Sequence, residues 1–173
     1  MVKVIFLLFA LICFSNAVVR RISFTSGNII QGKYASGISI KINNGQQEII
    51  WDKQFDSNNP LTVYLSHIYE DTGLLEAVEL TNICAKYPSG SFENIIKQFV
   101  LKKLRGTNRC PIKKGTKKIT YPITDTFEAT KEAKNCGPII ANLHIVQNKK
   151  SNSDEAPLLI SGQFRGVISG DDC

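Results

Sequence analysis

Side chains able to do chemistry are few in this 173-residue chain. His67 and His144 are its two histidines, and each sits inside a strand-like apolar–polar alternation. A histidine so placed more often meets solvent or fills a hydrogen bond than moves a proton for a substrate. The acidic pairs Asp154-Glu155 and Asp171-Asp172 fall in a polar loop and at the terminus, positions that favour solvation over acid–base work. No His-Glu-x-x-His, Cys-x-x-Cys, Gly-x-Ser-x-Gly or phosphate-loop spacing occurs, so no motif argues for a metal, acyl transfer or nucleotide binding. The expectation is a non-enzyme with no catalytic residue, no metal and no cofactor.

Cysteine is the remaining reactive type. Cys13 lies in an N-terminal apolar run, which leaves Cys84, Cys110, Cys136 and Cys173 as an even set. Four cysteines allow three pairings, and once paired they offer no thiolate. Their compartment follows from the first residues. Met1-Val-Lys3 is a short basic start, Val4 to Phe14 is an apolar run of 11, and Ser15-Asn16-Ala17 supplies the small residues of a cleavage site. The run is too short to span a bilayer, which takes about 20 residues, and it suits a signal peptide over 1–17. No later stretch is apolar enough to span. The expectation is one secreted, extracellular domain over 18–173, not transmembrane, in an oxidising compartment where disulfides persist.

The chain carries a net charge of +6, and loss of Lys3 with the signal lowers it by one. Eight of the 17 residues from Lys102 to Lys118 are basic. Such a run makes a solvated face, or it attracts an anionic membrane surface, a lipid headgroup or an anionic receptor. Lys113, Lys114, Lys117 and Lys118 are the candidates for that contact. Nucleic acid is not expected, because no aromatics interleave with the basic residues.

The elements that must position these groups are mostly strands. Residues 22–42 alternate in places, as in Ile38-Ser-Ile40-Lys-Ile42, and Asn43-Asn44-Gly45 should close a hairpin into 47–55. Leu61-Thr-Val63-Tyr-Leu65-Ser-His67-Ile-Tyr69 reads as a strand, turned by Asp71-Thr-Gly73 into 74–83. From Phe92 the period changes. Phe92, Ile95, Ile96, Phe99, Val100 and Leu104 share one helical face, with Ser91 as N-cap and Gly106 as stop. Strand patterns return at 118–123, 138–147 and 158–168, with Pro122 at a strand end or edge. About seven or eight strands and one short amphipathic helix give a mainly β, antiparallel sandwich or cup.

Several local motifs recur in a fixed order. Pro60-Leu-Thr-Val-Tyr-Leu65 leads through Gly73-Leu74 to Leu80-Thr-Asn-Ile-Cys84-Ala-Lys-Tyr87; Ser91-Phe-Glu93 opens the helix and Cys110-Pro-Ile-Lys-Lys-Gly115 follows it. A weaker match runs from Gly137-Pro-Ile-Ile140 to Gly162-Gln-Phe-Arg-Gly166. In this order, over about two-thirds of residues 18–173, the pattern resembles the ML (lipid-recognition) family. Within it, the likeness is to the ganglioside-activator branch with its secreted chemosensory relatives. The resemblance implies a β-cup that holds a lipid or other apolar molecule without catalysis. It also implies the pairs Cys84–Cys110 and Cys136–Cys173. Two bridges, where the ganglioside activator has four, resemble the simpler secreted relatives more closely.

The resemblance carries ligand-facing positions over only coarsely. The cavity candidates are Trp51, Val63, Leu65, Phe92, Ile96, Phe99, Ile140, Leu143, Ile145, Leu159 and Phe164, each of which would otherwise be ordinary core. Trp51, the only tryptophan, is expected at the cavity mouth, where an amphipathic ring suits an apolar–polar boundary. The implied function is a secreted carrier or presenter of a lipid or other hydrophobic small molecule. An apolar cavity on the order of several hundred Å³ beneath the helix would favour it. The alternative is a secreted interaction protein, such as a venom, salivary or immune effector, acting through its basic surface.

Overall fold

The computed structural model describes residues 17–130, 135–148, 156–170 and 173. The expected signal segment, apart from Ala17, and the pairs Asp154-Glu155 and Asp171-Asp172 lie outside the described residues. Among the described residues, nine strands form two antiparallel sheets. The larger contains β1 (Ala17–Gln31), β4 (Leu61–Tyr69), β5 (Leu75–Leu80), β7 (Ile123–Thr130), β8 (Gly137–Gln147) and β9 (Leu158–Gly170). Its order is β5-β4-β8-β9-β1-β7. The smaller, in the order β2-β3-β6, contains β2 (Ile38–Asn43), β3 (Gln46–Trp51) and β6 (Gly115–Lys118). Helix α1 (Phe92–Phe99) continues directly into a π-helical segment, Val100–Arg105.

Alternation explains most of the large sheet. Along β8, Ile139, Ala141, Leu143 and Ile145 face inward, and the residues between them face out. Along β1, Phe24 and Ile29 are both buried although an odd number of positions separates them. The register shift between Phe24 and Ser26 adds the residue that restores the inward face. A second shift, after Ile145, lets Leu159 and Ile160 of β9 both be buried. The β2–β3 hairpin turns at Asn44 and Gly45, both at positive φ (50° and 76°), which suits the twist of the flanking strands.

The strand expected at 118–123 is two half-strands in different sheets. β6 ends at Lys118, and β7 begins at Ile123 on the edge of the large sheet. Pro122 has no N–H to give a ladder, so the chain leaves one sheet there and joins the other. The helix also departs from one uniform period. Ser91 Oγ accepts the Asn94 N–H at 3.2 Å, as an N-cap does. After Phe99 the turn widens to π geometry, and Val100, Leu101 and Leu104 all become buried. Gly106, at φ 85°, ends the segment.

The two bridges are Cys84–Cys110 and Cys136–Cys173. The first closes the chain around the whole helical segment; the second joins the residue before β8 to the last residue. Chain entropy over their separations of 26 and 37 residues is worth about 3–4 kcal/mol each. Replacing Cys84 and Cys110 together by serine is therefore expected to lower unfolding free energy by about 3 kcal/mol in urea. Amides of α1 should then exchange faster while those of β8 and β9 keep their protection. A loss below about 1 kcal/mol, or equal loss of protection everywhere, would contradict this account of the strap.

Candidate functional site

The helix covers the inner face of the large sheet unevenly. At its C-terminal end the interior is solid: Val100, Leu101 and Leu104 pack with Ile49, Trp51, Phe55 and Ile112 in the core. At its N-terminal end Phe92 and Ile95 remain half-buried, and a chamber opens beneath them. Phe24 of β1, Phe99 of α1 and Phe164 of β9 make its inner end. Their ring centroids stand 5.6 Å (Phe24–Phe99), 5.3 Å (Phe24–Phe164) and 6.4 Å (Phe99–Phe164) apart. Leu65, Ile96, Ile139 and Ala141 continue an almost wholly apolar wall.

Phe164 lies over two glycines. A Cβ on Gly27 would come within 2.6 Å of the Phe164 ring and 2.5 Å of the Tyr121 hydroxyl, and one on Gly162 within 2.9 Å of the ring. These bare backbone positions let the ring lie down on the sheet. The apolar chamber holds about 60 Å³, well short of the cavity expected beneath the helix, and an adjoining cleft lined in part by polar side chains holds about 560 Å³. His67, Phe92, Ile95, Phe127 and Ile168 line both, so the two share walls.

Polarity rises along this path. Three strands bring Arg20 (β1), His67 and Tyr69 (β4) and Glu76 (β5) to the cleft, joined by Asn135, while Glu128 of β7 borders it with an exposed side chain. Arg20, His67 and Tyr69 are buried, at 2%, 4% and 5% exposure. Arg20 Nη1 donates to the Asn135 carbonyl at 2.6 Å, and Asn135 Nδ2 donates to Glu76 Oε1 at 3.2 Å. His67 Nε2 stands 3.0 Å from Glu76 Oε2 but outside hydrogen-bonding geometry. The imidazole meets Tyr69 and Phe92 edge-to-face at 5.1 and 5.9 Å. Burial lowers the His67 pKa, with the Glu76 carboxylate opposing. Burial, aided by Glu76 and opposed by Arg20, pushes the Tyr69 phenol up to about 12.

Leu65, Phe92, Ile96, Phe99 and Phe164 line the chamber. Trp51, Val63, Leu143, Ile145 and Leu159 do not; they are fully packed core. Trp51 is not at a mouth at all, since its Nε1 donates to the Leu104 carbonyl at 3.2 Å in a buried bond. Ile140 is a parity error: it points to the outer face, and its neighbours Ile139 and Ala141 line the chamber. Lys113, Lys114, Lys117 and Lys118 line neither the chamber nor the cleft. Lys117 and Lys118 border a separate notch with Lys103, and Lys118 reaches Glu48 at 3.7 Å.

The wall residues missed include Ile22, Phe24, Ile95, Phe127, Ile139, Ala141 and Ile168, and the polar cluster at the cleft was missed as well. Strict alternation signalled Ile139 and Ala141, and the helical face included Ile95. Among the described residues, no three His, Cys, Asp or Glu side chains gather as a metal site requires, and no helix is long and apolar enough to cross a membrane. No protein-family model matches the chain, and no curated protein matches it.

The His67 environment has a pH consequence. Because its folded-state pKa lies below the ordinary 6.5, the unfolded chain takes up that proton first as pH falls. This contribution to stability is whole above the ordinary value and is lost as pH falls through the folded-state value. Urea midpoints should therefore drop from about pH 7.5 to about pH 5.5, and less steeply in His67→Gln. Parallel slopes for the two proteins would remove His67 as the cause.

Proposed function

We propose that this protein is a secreted, non-enzymatic carrier or presenter of a lipid or other hydrophobic small molecule, as in the ML family that its sequence resembles. One observation carries the reading: a phenylalanine-walled chamber beneath α1 opens through shared walls into a cleft of about 560 Å³. That volume lies within the usual range for small-molecule sites, about 300–1,000 Å³. The apolar chamber itself is far smaller, about 60 Å³, so the ligand lies along the cleft with its apolar end toward Phe24, Phe99 and Phe164. Burial of apolar surface, about 25 cal/mol per Å² before the costs of association, supplies the affinity. The two disulfides support the extracellular setting, where such bridges persist.

One observation favours the second reading, an interaction protein acting through its basic surface. Lys113, Lys114 and Lys118 are exposed and lie apart from the chamber, where an anionic partner could reach them without disturbing a ligand.

An apolar fluorophore such as N-phenyl-1-naphthylamine should bind with one site per chain and a blue-shifted emission. Ile95→Trp, which fills the shared wall of chamber and cleft, should weaken that binding at least about tenfold with the circular dichroism unchanged. Phe99→Asp should abolish it. Fluorophore binding that survives both substitutions in a folded protein would overturn this assignment.

A further inference from the structure

The cleft is chemically unlike the chamber it leads to. The chamber offers a tail nothing but apolar surface, apart from Asp125, which Lys103 approaches at 3.6 Å, and His67 at the boundary. The cleft adds ionisable and hydrogen-bonding groups from β1, β4, β5 and the turn before α1, while α1, β7 and β9 line it with Phe92, Ile95, Phe127 and Ile168. β1 presents Arg20, β4 His67 and Tyr69, β5 Glu76, and the turn before α1 Ser91. With His67 neutral, the inward-facing charges of the cleft among the described residues are one guanidinium, Arg20, and one carboxylate, Glu76; Glu128 is exposed on the outer face of β7, opposite Val19. Arg20 is already engaged by the Asn135 carbonyl at 2.6 Å. The positive end of the α1 dipole is offset by Glu93 in its first turn.

A carboxylate head brought here would lose its water beside Glu76, and a like charge in a partly desolvated site is disfavoured. A hydroxyl faces no such cost. It donates to the Glu76 carboxylate and accepts from the Tyr69 phenol, which keeps its proton at any physiological pH.

We infer that the cleft selects the polar end of the ligand: it takes an amphiphile with an uncharged, hydroxyl-type head, and it discriminates against the carboxylate of the same chain. The head sits among His67, Tyr69 and Glu76, and the tail enters between Phe24, Phe99 and Phe164. This rests on the chamber being a ligand site, and it assigns the head to these three residues and not to the lysines of 113–118.

Competition against the naphthylamine fluorophore at about pH 8 separates the two claims, because a long-chain acid in dilute solution is ionised there. 1-Dodecanol should displace the fluorophore at a concentration at least about tenfold below that of dodecanoate. Glu76→Gln removes one repelling charge and keeps the shape, so it should narrow the gap to under about threefold, chiefly by improving dodecanoate. Dodecanoate equal to or better than dodecanol on the unaltered protein overturns the head-group assignment and leaves the ligand site standing. A gap unchanged by Glu76→Gln also overturns it. A fluorophore that never binds overturns the ligand site itself.

Discussion

The hydrogen bond from the Trp51 indole to the Leu104 carbonyl is the contact on which the rest of this arrangement depends. The last carbonyls of any helix lack partners within it, and a buried one left alone costs about 1–3 kcal/mol. Leu104 is wholly buried, and Gly106 and Thr107 both turn their N–H groups back to Leu101, so its carbonyl needs an outside donor. Trp51 supplies it from β3, with Phe55 edge-on to the indole at 5.9 Å. The small sheet is thereby fastened to the end of the helical segment. With Cys84–Cys110 closing the chain on either side of that segment, the helix is tied down hard at one end.

The chamber follows from that asymmetry. Where the segment is anchored, the three buried side chains of the π-helical turn, Val100, Leu101 and Leu104, fill the space. Toward the N-terminus the turn narrows to α geometry, Phe92 and Ile95 stay half-buried, and the chamber opens beneath them. The same strands that line the apolar wall carry polar residues one or two steps nearer the helix N-terminus: Leu65 gives way to His67 and Tyr69 on β4, and Phe24 to Arg20 on β1. One sheet face thus grades from phenylalanine to ionisable groups. A ligand laid along it is oriented before any specific contact is counted.

Much of this was legible in residue order. Asn44-Gly45 needs positive φ, and the hairpin turns there; the alternation of 61–69 and 138–147 lies on β4 and β8 as expected; Ser91 caps the helix and Gly106 stops it. What was not legible involves partners far apart in the chain. The shift after Phe24 shows only once β1 is paired with β9. The division of 118–123 between two sheets was signalled by Pro122, but the sheet joined next was not. Ile140 was misassigned because apolar character was weighed above parity. The Arg20–Asn135–Glu76–His67 cluster draws on residues separated by up to 115 positions, and no local pattern marks them. Trp51 was misjudged because its burial depends on a helix end that the sequence does not place against it.

The central claim is that an apolar ligand occupies the space under the N-terminal half of the helix and leaves the anchored end untouched. Methyl-resolved NMR during titration with 1-dodecanol tests it most directly. The account predicts saturable shifts, complete at one equivalent, at Leu65, Ile95, Ile96, Ile139 and Ile168, with Ile49, Leu101, Leu143 and Leu159 unmoved. Shifts confined to the outer face, or none at any of these methyls, would contradict it.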